Sequence, residues 1–206
     1  VLTSLAPRAG NPAAAELRAK VWARLRAEDA SADAIRFLDA IASATSPETV
    51  LIADMAIPGY WVAGYAKVSM PRRLQYPMGW GTLGYALPAA LGPATLGASV
   101  LVVCGDGGFM MSSQALDTAM RLRLALVILI LEDNAYGMIR WKQAADGFAD
   151  FGMTFGNPDF VTYARAYGMK GVRVESADGL APALEAAFAA RGMHLVVVPV
   201  DYSENM

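Results

Sequence analysis

Short apolar runs alternate with longer segments of helical periodicity over most of the 206-residue chain. The runs at residues 100–104 and 125–131 are almost continuous in Val, Ile and Leu, as in parallel strands buried on both faces. We therefore expect an α/β fold, a doubly wound three-layer α/β/α sandwich with a mostly parallel sheet of about six strands. The predicted strands are residues 50–53, 72–76, 100–104, 125–131, 171–174 and 194–199.

Helical segments lie before and between these strands. Residues 13–28 are rich in Ala and carry an apolar stripe at helical spacing. Ser31 is a candidate N-cap for a second helix that runs to residue 42. Ser112 and Ser113 are candidate N-caps for a helix after the strand at 100–104. Helices are also predicted at residues 136–142, 159–167 and 177–190.

The start of the chain and its composition bear on domain organisation. Pro7, Gly10 and Pro12 interrupt any regular pattern, which predicts a linker at residues 1–12 and one domain over residues 13–206. Hydrophobic residues make up 55% of the chain and charged residues 17%, so we expect extensive burial against other domains or subunits. These features predict a fragment of a longer enzyme.

Charge and cysteine content exclude several classes of function. A net charge of −2 without a basic cluster argues against a nucleic-acid partner. No apolar run reaches the ~18 residues of a membrane span and no signal peptide is visible, so we expect no membrane partner and a cytoplasmic location. Cys104, the single cysteine, lies inside an apolar strand and is expected to be an inert core thiol. His194, the single histidine, begins a strand and is not expected to be catalytic.

Two acidic residues end the two central strands. Asp106 lies within Gly105-Asp106-Gly107-Gly108, and Asp133 follows the strand at 125–131. A strand-helix-strand unit brings the carboxyl ends of parallel strands to one edge of the sheet, where ligands bind. Carboxylates bind Mg²⁺, and amides at a helix start bind phosphate, so a site for a metal-bound diphosphate is predicted. Asp54 ends another strand and is interpreted as a turn or helix-cap residue.

These motifs resemble those of thiamine-diphosphate enzymes, in which Gly-Asp-Gly is followed after about two dozen residues by Asn-Asn. Here 24 residues separate Gly105-Asp106-Gly107 from Glu132-Asp133, which replaces the Asn pair. Aligning Gly137-Met138 with the Gly-Met that follows the pair in the family places Asp133 at the second Asn. The resemblance then implies Asp106, Asp133 and the Ala135 carbonyl as Mg²⁺ ligands, with Asn134 as the alternative to Asp133.

A second stretch, residues 77–90, is similar to the Gly-rich segment of acetolactate-synthase-like members, with Ala86 in place of its last glycine. In the family an apolar side chain here bends the thiamine diphosphate, and Leu83 has that position. The resemblance implies that the Gly81 carbonyl and Leu83 amide bind the pyrimidine. The amides of Tyr136 and Gly137 at a helix start are expected to bind the diphosphate. The expected cofactor-binding residues are Gly81, Thr82, Leu83, Asp106, Gly107, Gly108, Tyr136, Gly137, Met138 and Ile139.

Two further segments are expected near the cofactor. Residues 55–59 form a loop that contacts the diphosphate in the family, although Pro58 cannot donate a backbone hydrogen bond. Residues 144–157 lack a period and are a candidate mobile lid.

The resemblance implies a function in 2-keto acid chemistry, namely decarboxylation with carboligation as in acetolactate synthase. The alternatives are a benzoylformate decarboxylase-like lyase and a non-catalytic cofactor-binding or assembly domain. A nucleotide-binding module is disfavoured because neither Gly-x-Gly-x-x-Gly nor Gly-Lys-Ser/Thr is present. Family members activate the cofactor with a glutamate from a pyrimidine-binding domain, and no matching glutamate is found here. We therefore expect half of an active site, completed by that domain of the same or a partner subunit in a homodimer or homotetramer. Glu132 is expected to be structural.

Overall fold

The computed structural model describes residues 11–28 and 32–202. Within them six strands form one sheet in the order β2-β1-β3-β4-β6-β5, and every pairing is parallel. The expected mostly parallel six-stranded sheet is therefore confirmed. The strands are β1 (Val50–Ala53), β2 (Leu74–Gln75), β3 (Val100–Gly105), β4 (Leu126–Glu132), β5 (Lys170–Arg173) and β6 (Met193–Pro199).

Helices cover both faces of this sheet and give it two apolar cores. Leu87, Leu116 and Phe160 pack against one face, and Phe37 and Leu184 pack against the other. The expected three layers are therefore present. The described helices are α1 (Pro12–Ala27), α2 (Ala32–Ala44), α3 (Ile57–Tyr65), α4 (Ala86–Thr95), α5 (Asp106–Ser112), α6 (Ala115–Arg121), α7 (Gly137–Ala145), α8 (Phe160–Ala166) and α9 (Ala177–Ala190).

The sheet order places a topological switch between β1 and β3. The chain leaves β1 to add β2 on one side, and then returns to add β3 on the other side. The connections that leave the carboxyl ends of β1 and β3 go to opposite faces of the sheet. This divergence opens a crevice at the carboxyl edge of the strands. Asp54 follows β1, Asp106 follows β3 and Asp133 follows β4, so all three acids lie along this edge.

The first helix begins where the predicted linker ends. The Asn11 side chain accepts from the Ala13 amide, and Pro12 occupies the first turn, where its missing N–H is tolerated. No residue of α1 is buried, and Leu17 and Val21 of its apolar stripe are exposed. Residues 1–10 of the linker and Ser31, the expected cap of α2, lie outside the described residues.

Two predicted boundaries were wrong. Ser112 and Ser113 do not cap a helix, because α5 begins at Asp106 and α6 follows Gln114; both serines are buried instead. The expected loop at 55–59 runs into α3, because Pro58 fits a first helical turn and Val62 is buried against the sheet. Among residues 11–28 and 32–202, no helix has both the length and the apolar character needed to cross a bilayer.

Candidate functional site

A cavity of about 310 Å³ opens at the carboxyl edge of β1, β3 and β4. The expected metal ligands Asp106, Asp133 and Ala135 all line it. Thr82 is the exception among the expected cofactor-binding residues, since it is exposed and does not line the cavity. The other nine line it: Gly81, Leu83, Asp106, Gly107, Gly108, Tyr136, Gly137, Met138 and Ile139.

Asp106 is a buried carboxylate that hydrogen bonds hold in one orientation. It is only 1% exposed at the junction of β3 and α5. Its Oδ1 accepts from the Gly107 amide at 2.7 Å. Its Oδ2 accepts from the Asn134 amide and from Asn157 Nδ2, each at 2.7 Å. The side chain therefore links the end of β3 to the segment after β4.

Asp133 is the second carboxylate at this edge. Burial and then the charge of Asp106 raise the pKa of the Asp133 carboxyl to about 7. Two nearby carboxylates in a partly desolvated site favour a cation, which would relieve the repulsion between them. The alternative ligand Asn134 is exposed, does not line the cavity, and uses its Oδ1 to accept from Asn157 Nδ2 at 3.0 Å. The geometry therefore favours Asp133.

Two glycines lie where the backbone packs closely against side chains of the site. A Cβ on Gly137 would collide with Asp133 Oδ2. A Cβ on Gly107 would lie 2.7 Å from Tyr136 Cε1 and 3.1 Å from Phe155 Cζ. Neither position has room for a side chain, so these turns present bare backbone to the cavity.

The start of α7 supplies amide hydrogens, but not all of those expected. The Tyr136 amide donates to the Met153 carbonyl at 2.9 Å, so its expected use for a diphosphate is wrong. The amides of Gly137 and Met138 have no hydrogen-bond partner among the described residues. They lie in the first turn of α7, where the helix dipole favours an anion.

Asp54 connects the end of β1 to the Gly-rich stretch at residues 77–90. It accepts from the Met55 amide as a turn residue, and it also accepts from the amides of Gly84 at 2.8 Å and Tyr85 at 3.1 Å, just before α4. Asp54 therefore fixes a turn, in agreement with one of its two expected roles, and it is not a helix cap, because neither α3 nor α4 has a side-chain cap. Burial raises its pKa, and these three hydrogen bonds partly offset that rise. Leu83 is thereby held at the cavity.

The candidate lid is tied to the site. Ala135 and Thr154 form an antiparallel bridge, and the Phe155 amide donates to the Asn134 carbonyl at 3.0 Å. The rings of Tyr136 and Phe155 lie 4.9 Å apart. Residues 153–157 are therefore fixed against the segment after β4, and they do not form a free flap.

Sequence reasoning missed several residues at the cavity. Tyr60 lines it from α3, a helix that was not predicted, whereas Ile57 belongs to the segment at 55–59 that was expected near the cofactor. Tyr202 lines it from the segment after β6, and its buried hydroxyl has no partner among the described residues. No spacing rule connects Asn157 or Tyr202 to Asp106, whereas the apolar Pro-containing segment at 57–65 fits a helix start.

Three residues that were expected to have no catalytic role do not line the cavity. Glu132 is buried and pairs with Arg173 at 2.6 Å, so its structural interpretation is confirmed. Cys104 is buried, with Sγ 3.6 Å from the Leu129 carbonyl, and burial raises its pKa. His194 bonds the Arg191 carbonyl at the amino end of β6, away from the cavity.

Comparison with known proteins identifies the family of this chain. Residues 54–198 match a family model described as the thiamine pyrophosphate enzyme, C-terminal TPP binding domain. The acetolactate synthase of Bacillus subtilis (strain 168) is 36% identical over 166 residues, 80% of this chain and 29% of that protein. The catabolic acetolactate synthase of Raoultella terrigena is 36% identical over 173 residues, 83% of this chain and 31% of that protein.

Two other similar proteins have decarboxylase names. A probable 2-ketoarginine decarboxylase of Pseudomonas aeruginosa is 38% identical over 192 residues, 90% of this chain and 34% of that protein. The Rhodococcus jostii RHA1 thiamine diphosphate-dependent 4-hydroxybenzoylformate decarboxylase shares the fold, with a TM-score of 0.75 at 24% identity over 84% of this chain and 33% of that one. The chain thus spans about a third of its relatives' lengths. Because the family match covers more than half of the chain, this chain belongs to the C-terminal TPP-binding domains of thiamine pyrophosphate enzymes, and its relatives place it in the acetolactate synthase-like family.

Proposed function

We propose that this domain binds the diphosphate of thiamine diphosphate through Mg²⁺ and forms half of an active site for 2-keto acids. The observation that carries the proposal is the pair of desolvated carboxylates, Asp106 and Asp133, beside the free amides of Gly137 and Met138. Asp106 and Asp133, with the Ala135 carbonyl, would bind the cation. The amides at the start of α7 would bind the diphosphate oxygens.

The residues present fit this cofactor. Gly107 and Gly137 line the cavity and have no room for a Cβ, so no side chain at either position stands between the backbone and a bound diphosphate. The negative charge of the cavity's acids would be neutralised by a divalent cation, whereas it would repel a diphosphate that bound without one. When bound, thiamine diphosphate supplies the carbon nucleophile and electron sink for decarboxylation of a 2-keto acid.

The other cavity residues would fix the bound conformation. Leu83 is half-buried at the cavity wall and follows Gly81, whose φ of +68° suits a residue without a Cβ. Asp54 holds the turn that follows Leu83. Leu83 would therefore contact the cofactor as a fixed apolar wedge, and Met138 and Ile139, which line the same cavity, would add apolar contacts. Such fixed apolar contacts orient a cofactor and exclude water from its reacting atoms.

The reaction that we propose for the whole enzyme is acetolactate synthase-like, decarboxylation followed by transfer to a second carbonyl. Two acetolactate synthases at 36% identity support it. The test is to supply the full-length protein with pyruvate, Mg²⁺ and thiamine diphosphate and to identify products. We expect acetolactate and CO₂ from the native protein, and neither from Asp106→Ala. Decarboxylation of no 2-keto acid by native protein that holds the cofactor would refute the enzymatic proposal and favour a non-catalytic domain.

A simple decarboxylase is the second candidate. The 38% identity to a probable 2-ketoarginine decarboxylase extends over 90% of the chain, more than for either acetolactate synthase. The same product analysis separates the two activities, because a decarboxylase releases an aldehyde and one CO₂ per keto acid. Aldehyde as the sole organic product would favour this candidate.

The remaining half of the site would come from a pyrimidine-binding domain of the same or a partner subunit. Trp80 and Met78, beside the cavity turn, are 93% and 78% exposed, which supports a surface that another domain covers. A homodimer or homotetramer would provide that domain. The cytoplasmic location stays a prediction.

A further inference from the structure

Asn157 contacts the candidate metal site from a segment distant in sequence. It follows the bridge between Ala135 and Thr154 and lies 51 residues beyond Asp106. Its Nδ2 donates to Asp106 Oδ2 at 2.7 Å and to Asn134 Oδ1 at 3.0 Å. One amide group therefore connects the residues that follow β3 and β4.

The orientation of this amide is defined by its two acceptors. Both Nδ2 hydrogens have acceptors, whereas Asn157 Oδ1 is buried without a hydrogen-bond partner among the described residues. Turning the amide over would place Oδ1 against the Asp106 carboxylate, where two acceptors would repel. The amide therefore donates to Asp106 while its own oxygen stays unpaired. An unpaired buried acceptor costs free energy and is rare in folded proteins, so it calls for an explanation.

These hydrogen bonds constrain one oxygen of the Asp106 carboxylate more than the other. Oδ2 receives two donors, from the Asn134 amide and Asn157, while Oδ1 receives only the Gly107 amide. The donors on Oδ2 oppose rotation of the carboxylate and hold its negative charge near Asp133 before any cation binds. Hydrogen bonds of this kind, behind a ligating carboxylate, orient the ligand and tune its affinity for the metal.

We propose that Asn157 is a positioning residue that preorganises Asp106 for Mg²⁺, an inference that rests on the proposed cofactor function. Its loss weakens Mg²⁺ binding without unfolding the domain. Asp159 provides a matched control two residues away, because it caps α8 by accepting from the Val161 and Thr162 amides and is not hydrogen-bonded to Asp106. A structural role and a positioning role are therefore separable within one segment.

The experiment titrates Mg²⁺ into the full-length protein at saturating thiamine diphosphate and follows binding by calorimetry. The variants are Asn157→Ala, Asn157→Leu, which keeps nearly the same volume but cannot donate, and Asp159→Ala. Thermal unfolding of each metal-free protein is measured alongside. We expect both Asn157 variants to bind Mg²⁺ 10–100-fold more weakly, the range typical of such supporting residues. Asp159→Ala should keep native Mg²⁺ affinity and lower the unfolding midpoint.

The other outcomes overturn the inference in distinguishable ways. Native Mg²⁺ affinity in Asn157→Leu refutes the positioning role and leaves the proposed function intact. If Asn157→Leu and Asp159→Ala lower the unfolding midpoint by similar amounts and also weaken Mg²⁺ binding by similar factors, Asn157 has only a structural role. Absence of Mg²⁺-dependent cofactor binding in the native protein refutes the proposed function itself.

Discussion

At the scale of single residues, Gly137 is a position of the candidate site that has no room for a side chain. Because a Cβ there would collide with Asp133 Oδ2, Gly137→Ala must displace that carboxylate or the start of α7. We expect at least a tenfold loss of Mg²⁺ affinity, measured by calorimetry on the full-length protein. Gly64→Ala is the control, since no atom lies within 4 Å of its added Cβ within α3. Equal affinities in both variants would contradict the role assigned to Gly137.

The raised pKa of Asp133 should make the stability of the metal-free protein depend on pH. The Asp133 carboxyl has a pKa of about 7 in the folded metal-free domain, against about 3.9 in an unfolded chain. The folded state therefore holds this proton more tightly, and Asp133 lowers the stability of the metal-free protein as pH rises from about 4 to 7. Asp133→Asn should be more stable than the native protein at pH 8, with the difference vanishing near pH 4. Urea unfolding in chelator at both pH values measures it, and a difference independent of pH would contradict the assignment.

At the scale of elements, Asp54 connects the end of β1 to the turn before α4 and excludes a side chain at Gly108 in α5. Replacing it with Ala leaves the half-buried amides of Gly84 and Tyr85 without their acceptor. We expect Asp54→Ala to lower the free energy of unfolding by about 2–4 kcal/mol, measured by urea denaturation. Asp117→Ala, which removes an exposed pair with Arg121, should cost about 0.5 kcal/mol or less. Similar losses would show that Asp54 does not brace these elements.

The elements also show what sequence can and cannot specify. The order of strands and helices was predictable because β3 and β4 are nearly continuous apolar runs whose ends carry acids. α3 was missed because Pro58, Gly59 and Gly64 obscure a helix whose stability comes from packing Val62 on the sheet. Asn157 was not recognised because its link to Asp106 depends on tertiary contacts across 51 residues.

At the scale of the whole molecule, the domain presents an exposed apolar surface at the carboxyl edge of the sheet. Trp80 is 93% exposed beside the cavity, whereas Leu96, 88% exposed, follows α4 at the opposite end of the sheet. If a pyrimidine-binding domain covers the cavity side, Trp80→Ala should weaken thiamine diphosphate binding by the full-length enzyme several-fold. Leu96→Ala should leave it unchanged. Equal effects in the two variants, read by calorimetry, would argue against a partner domain on the cavity side.

The proposed function requires that Asp106 and Asp133 bind Mg²⁺, which in turn binds the cofactor diphosphate. The decisive measurement is thermal unfolding of the full-length protein with Mg²⁺ alone, thiamine diphosphate alone, and both together. Binding to the folded state raises stability by about 2.7 kcal/mol at a ligand concentration 100-fold above the dissociation constant. We predict a rise in the unfolding midpoint of the native protein only with both ligands, and no rise for Asp106→Ala. An equal rise in Asp106→Ala would contradict the role of Asp106 as a metal ligand, and no rise in the native protein would contradict Mg²⁺-dependent cofactor binding.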